Sequence, residues 1–115
     1  MTPAELWTFL PVGYALTVAI ETPVLVAGLA RRHPLRRKLL AGLWLTACTY
    51  PIVVLVLPLL IPSRVPYLAV AETFAPAAEC LLFWVAFGER ESVWRDSATI
   101  VVANLASFLI GVAVF

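Results

Sequence analysis

Residues 39–61, LLAGLWLTACTYPIVVLVLPLLI, carry no charged side chain. At about 1.5 Å of rise per residue, a helix of that length crosses the roughly 30 Å hydrocarbon core of a bilayer. The run is continuously apolar rather than alternating, which suits a helix and not a barrel strand. Three comparable stretches flank it, at about 3–30, 66–87 and 94–115. The expected fold is an all-α integral membrane protein of four transmembrane helices, forming a single domain over residues 1–115. Thr2, Pro3 and Glu5 suit the start of the first helix, with Thr2 as N-cap and Glu5 reaching back to it.

Composition points the same way. Of 115 residues, 63% are apolar and 13% charged, and mean hydropathy is +0.98. A soluble domain usually carries about 25% charged residues to cover its surface. Cys48 and Cys80 fall inside apolar runs without metal-ligand spacing and read as buried thiols.

The connectors predict an orientation. The first holds Arg31, Arg32, Arg36, Arg37 and Lys38 around His33; the third region holds Arg90 and Arg95; the middle connector holds only Arg64. Seven of the eight basic residues thus lie on one side, which the positive-inside rule makes cytoplasmic, with both termini outside. Trp7 and Tyr67 at the outer ends, and Trp84 and Trp94 at the inner ends, fit aromatic belts. The expected location is a bacterial cytoplasmic (inner) membrane, since seven arginines stand against one lysine, as in GC-rich genomes. The partners expected are the bilayer, further copies of the chain or other membrane subunits, and anionic lipid at Arg31, Arg32, Arg36, Arg37 and Lys38. The orientation signal explains the basic loop, so nucleic acid is not expected. His33 is expected to be solvated in that loop, and Asp96 to pair with Arg95 at the surface.

An offset of 58 residues brings the rare polar positions into register. Glu21 falls on Glu79, Arg32 on Arg90, Arg37 on Arg95, Thr46 on Asn104, Thr49 on Ser107 and Tyr50 on Phe108. This suggests two tandem helical hairpins, residues 1–57 and 59–115. Each holds an even number of spans, so the copies would be related by a pseudo-two-fold along the membrane normal.

Three carboxylates, Glu21, Glu72 and Glu79, lie within the apolar runs. A charge at the bilayer centre costs about 2.5 kcal/mol or more, so such residues face the bundle interior and are functional candidates. Glu21 and Glu79 are each about nine residues from the cytoplasmic end of their helices, with Thr46 and Asn104 at matching depth and Thr49 and Ser107 on the same faces. This predicts a polar layer of two carboxyls, an amide and three hydroxyls. Glu72 belongs about 10 Å further out, with Tyr14 opposite it. Tyr14, Thr17 and Glu21 would form one stripe leading inward from the outer side. The inner half offers little beyond Ser97 and Thr99. Pro11, Pro23, Pro51, Pro58 and Pro76 fall inside the spans, each freeing a carbonyl that can receive a proton or a cation. Gly28, Gly42 and Gly111 would permit close helix approach.

No catalytic motif, phosphate loop or haem-binding pair is present, and His33 is too far from any interior Ser or Cys to activate it. No cofactor, metal site or enzyme activity is expected. Two readings follow. The first is proton- or cation-coupled transport, or ion binding, with Glu21, Glu79 and Glu72 as the exchanging groups and Thr46, Thr49, Asn104, Ser107 and Tyr14 as their partners. The alternative is a non-catalytic accessory or assembly subunit of a larger membrane complex, in which the polar layer ties helices together.

Overall fold

The computed structural model describes residues 3–31, 33–87 and 92–114. Met1, Thr2, Arg32, residues 88–91 and Phe115 lie outside them, and so do the expected Thr2 cap and the lipid contact of Arg32. Four helices are long and apolar enough to cross a membrane: α1 (Pro3–Gly28), α2 (Leu35–Leu60), α3 (Arg64–Phe87) and α4 (Val93–Val114). No strand occurs among the described residues. The bundle is 43 Å long and 23 Å across, consistent with a multi-pass membrane protein.

The helices stand in a ring. Each packs on its neighbour in sequence, and α4 closes back on α1, leaving α1 and α3 on one diagonal and α2 and α4 on the other. Large apolar side chains such as Leu59, Leu60, Val65 and Val85 point outward. That is the inverse of a soluble bundle and the arrangement lipid favours.

The α2 N-terminus falls earlier than the apolar run implies. Pro34, in an extended conformation, takes the N-cap position, and the helix starts at Leu35 rather than near residue 39. Arg36, Arg37 and Lys38 therefore occupy its first turn, where the helix dipole disfavours cations. The compensation is local: Lys38 Nζ donates to the carbonyls of Val26 and Leu29, 3.2 and 3.1 Å away, and so caps the end of α1.

Two prolines reshape α2. Residues Ile52–Val56, between Pro51 and Pro58, form a π turn in which Leu57 N–H reaches back five residues to the Ile52 carbonyl. Leu57 is thereby taken away from Val53, and Pro58 has no N–H to offer either Val53 or Val54. The orphaned Val53 carbonyl accepts instead from the Tyr67 hydroxyl of α3, at 2.8 Å. Tyr67, expected in an outer aromatic belt, is consequently half-buried with its hydroxyl turned into the bundle. Trp7, Trp84 and Trp94 are exposed, as such belts require.

Small residues set the close approaches. A Cβ on Gly42 would overlap the Thr22 hydroxyl, and one on Gly28 would meet Thr99. Gly111 faces open space and brings no helix closer. Gly13, unremarked in the sequence, is buried against the Tyr50 hydroxyl and the Phe9 ring. Cys48 and Cys80 are free and only partly buried, Cys80 donating to the Ser97 carbonyl at 3.6 Å.

Candidate functional site

The two ends of the bundle differ. At the end that carries the start of α1 and the α2–α3 turn, the helices part around a cavity of about 720 Å³. Its lining runs from Leu6, Pro62, Arg64 and Gly111 inward to Glu21, Glu79, Thr46 and Asn104. All three interior carboxylates line it. Drug-sized ligands occupy cavities of roughly 300–1,000 Å³, so the space exceeds what one bare ion needs.

The polar layer forms the floor. Glu21 on α1, Thr46 and Thr49 on α2, Glu79 on α3 and Asn104 on α4 are all buried, each at most 6% exposed. Glu21 and Glu79 sit on diagonal helices, and each is tied to a neighbour. Ser107 Oγ on α4 is 2.6 Å from Glu21 Oε2, and Thr49 Oγ1 on α2 is 3.0 Å from Glu79 Oε2. Asn104 Nδ2 donates to the Ile100 carbonyl at 2.9 Å. Thr46 Oγ1 is buried without a protein hydrogen-bond partner.

Above the floor, Glu72 is half-buried in the α3 wall, with Tyr67 one and a half turns nearer the mouth and Tyr50 across from it on α2. Tyr14 does not line the cavity. Its hydroxyl turns into the seam between α1 and α2 and donates to the Leu43 carbonyl at 2.8 Å, while its ring packs edge-on against Tyr50. The polar stripe expected over Tyr14, Thr17 and Glu21 therefore keeps only its last two members in the cavity. Sequence depth fixed the level of Tyr14, but a long side chain at the helix flank can lean either way. Tyr50, Tyr67 and Arg64 line the cavity in its place.

The opposite end is closed. Leu25, Leu29, Ala41, Leu45, Phe83, Ile100 and Ala103 form the buried apolar cluster of the bundle, directly beneath the polar floor. A polar cluster lies beyond it, contrary to the expectation of a solvated histidine and a surface Asp96–Arg95 pair. His33 and Asp96 are 2% and 3% exposed, and His33 Nε2 lies 2.8 Å from Asp96 Oδ2. Asp96 also accepts from Ala30 N–H and from Ser92 Oγ, both at 2.9 Å. Arg95 turns away from Asp96 and donates to the Gly28 carbonyl. Arg37 approaches His33 Nδ1 at 3.3 Å and lies over the Phe87 ring. Arginine cannot accept a hydrogen bond, so this contact assigns the His33 proton to Nε2, facing Asp96.

The basic loop is thus divided. Lys38 and Arg37 are engaged within the protein, while Arg31 and Arg36 are exposed. Among the described residues no three His, Cys, Asp or Glu side chains converge to hold a metal ion. Comparison with known protein families, with curated proteins and with solved structures finds no match.

Proposed function

We propose that this chain is a small membrane unit for proton- or cation-coupled transport, in which Glu21 and Glu79 are the exchanging groups and Glu72 stands on the way to them. The observation that carries the reading is the cavity itself, open at one end, closed by apolar packing at the other, and floored by both carboxyls. Solvent can reach such groups from one side only, as one stage of an alternating-access cycle demands. A purely structural polar layer has no need of a vestibule.

Of the six described basic residues, Arg31, Arg36, Arg37, Lys38 and Arg95 belong to the closed end and Arg64 to the open one; we assign the closed end to the cytoplasm of a bacterial inner membrane, with the cavity and both termini facing out. The duplication is also proposed. Its support lies in the bond pattern: the offset of 58 residues carries Glu21 to Glu79 and Ser107 to Thr49. It therefore converts the α1–α4 bond into the α3–α2 bond, as a pseudo-two-fold would.

One observation favours the accessory-subunit alternative. The same two bonds fasten adjacent helices, which is what assembly in lipid requires. Flux decides between the two. Protein in liposomes loaded with a pH-sensitive dye is expected to dissipate a pH gradient. Glu21→Gln and Glu79→Gln, if still monodisperse, are expected to lose that activity. Wild-type flux at the background of empty liposomes would remove the transport reading in favour of the accessory one.

A further inference from the structure

Two hydroxyls at the cavity floor, those of Ser107 and Thr49, face two acceptors each. Ser107 Oγ is 2.6 Å from Glu21 Oε2 and 3.0 Å from the carbonyl of Asn104. Thr49 Oγ1 is 3.0 Å from Glu79 Oε2 and 3.1 Å from the carbonyl of Leu45. A hydroxyl has one proton to donate and two lone pairs to receive with. It can serve both neighbours fully only if the carboxyl is sometimes the donor. Thr73 and Thr99 also donate to the carbonyl four residues back, each to that single acceptor.

We propose that Glu21 with Ser107, and Glu79 with Thr49, are two matched proton-binding sites in which the hydroxyl reverses its hydrogen bond as the carboxyl gains or loses its proton. Ser107 and Thr49 are positioning residues, and the ligand taken is the proton rather than a metal cation. The inference rests on the transport reading above and narrows its substrate.

In the ionised state the hydroxyl donates to the carboxylate oxygen, a charge-assisted bond whose 2.6 Å length at Ser107 is typical of that kind. When solvent in the cavity delivers a proton to the carboxylate, the new carboxyl O–H donates to the hydroxyl oxygen. The hydroxyl hydrogen then swings to the backbone carbonyl of Asn104 or Leu45. One O–H bond forms on the carboxyl, one breaks on the donor water, and no heavy atom moves. In each state the hydroxyl and the carboxyl oxygen that faces it stay hydrogen-bonded to one another, so neither state breaks that pair. The other titratable groups facing the cavity are Tyr50 on α2 and Arg64, Tyr67 and Glu72 on α3. α1 adds only Glu21 and α4 none among the described residues.

The test is infrared titration of the full chain in detergent, with carboxyl bands assigned by Glu21→Gln and Glu79→Gln. Ser107→Ala should raise the pH at which the Glu21 band is lost by about one unit, a tenfold change in proton affinity. Thr49→Val should do the same to the Glu79 band. Ser107→Thr and Thr49→Ser keep the hydroxyl and should restore each midpoint, while Thr73→Ala should move neither. Ser107→Cys, of similar size with a weak S–H donor, repeats the measurement should the alanine variant not fold. Midpoints unmoved in Ser107→Ala, Ser107→Cys and Thr49→Val would overturn the proposal, as would bands displaced at fixed pH by sodium, potassium or magnesium chloride. Intact titration without liposome flux defeats the transport reading and leaves the proton sites. Flux with titration indifferent to both hydroxyls defeats the proton sites and leaves transport.

Discussion

His33 and Asp96 stand 63 residues apart in the chain, and their side chains meet at 2.8 Å in the closed end of the bundle. The contact joins the α1–α2 loop to the first turn of α4, and Asp96 collects three donors there. Asp96→Ala takes the acceptor from His33, from the Ala30 N–H and from the Ser92 hydroxyl together. Loss of a partner from a buried, charge-assisted network costs about 3 kcal/mol or more. Asp96→Ala is expected to lower the thermal midpoint in detergent far more than Arg64→Ala, whose side chain is exposed. Equal midpoints for the two variants would contradict this account of the closed end.

Tyr67 and Pro58 should be coupled. Tyr67→Phe strips the Val53 carbonyl of its donor, at an expected cost of about 1–2 kcal/mol. Pro58→Ala supplies a backbone N–H able to serve that region of α2, so the π turn can rewind. In the Pro58→Ala background, Tyr67→Phe is expected to cost measurably less. A double-mutant cycle reads the difference, and strict additivity would speak against the orphaned carbonyl as the reason for the Tyr67 contact.

Gly13 and Gly111 sit in the same cavity lining with opposite expectations. A methyl on Gly13 would overlap the Tyr50 hydroxyl and the Phe9 ring, whereas one on Gly111 meets nothing within 4 Å. Gly13→Ala should destabilise by about 1–3 kcal/mol through overpacking. Gly111→Ala should be neutral or slightly stabilising. Thermal melts of the two variants beside wild type check the contrast.

The basic residues around the first connector should sort into two groups. Arg31 and Arg36 are exposed, and each should contribute about 1 kcal/mol to contact with anionic lipid. Replacing them with Gln should weaken retention of anionic over neutral lipid and leave stability unchanged. Lys38→Met should do the reverse, lowering stability by about 1 kcal/mol because the end of α1 loses its cap. Native mass spectrometry for bound lipid and thermal melts for stability separate the two behaviours.

The four spans were legible because lipid leaves little choice: an unbroken apolar run of sufficient length must be a helix. The polar floor was legible for a related reason. Glu21, Thr46, Glu79 and Asn104 are rare enough that depth alone brings them to one level. Depth says nothing of azimuth, and so the stripe expected over Tyr14, Thr17 and Glu21 loses Tyr14 to the α1–α2 seam. The start of α2 is not legible because Arg36, Arg37 and Lys38 resemble a connector. Their helical state depends on what they find in space, namely the α1 carbonyls and the Phe87 ring. The His33–Asp96 contact is illegible on the same ground, since it depends on the path of a loop and the docking of α4.

Phe83 stands edge-on to His33 and to Phe87, Phe87 stands edge-on to Trp44, and Arg37 bridges His33 and Phe87. These contacts share members, so release of a shared ring disturbs several of them at once. A rotation of Phe83 strips a ring contact from His33, and withdrawal of His33 takes the acceptor from Arg37 and the donor from Asp96. Such an interlock has few half-open states: it holds as a unit or gives way as a unit. On the transport reading proposed above, passage through that end proceeds in discrete events rather than as a continuous leak.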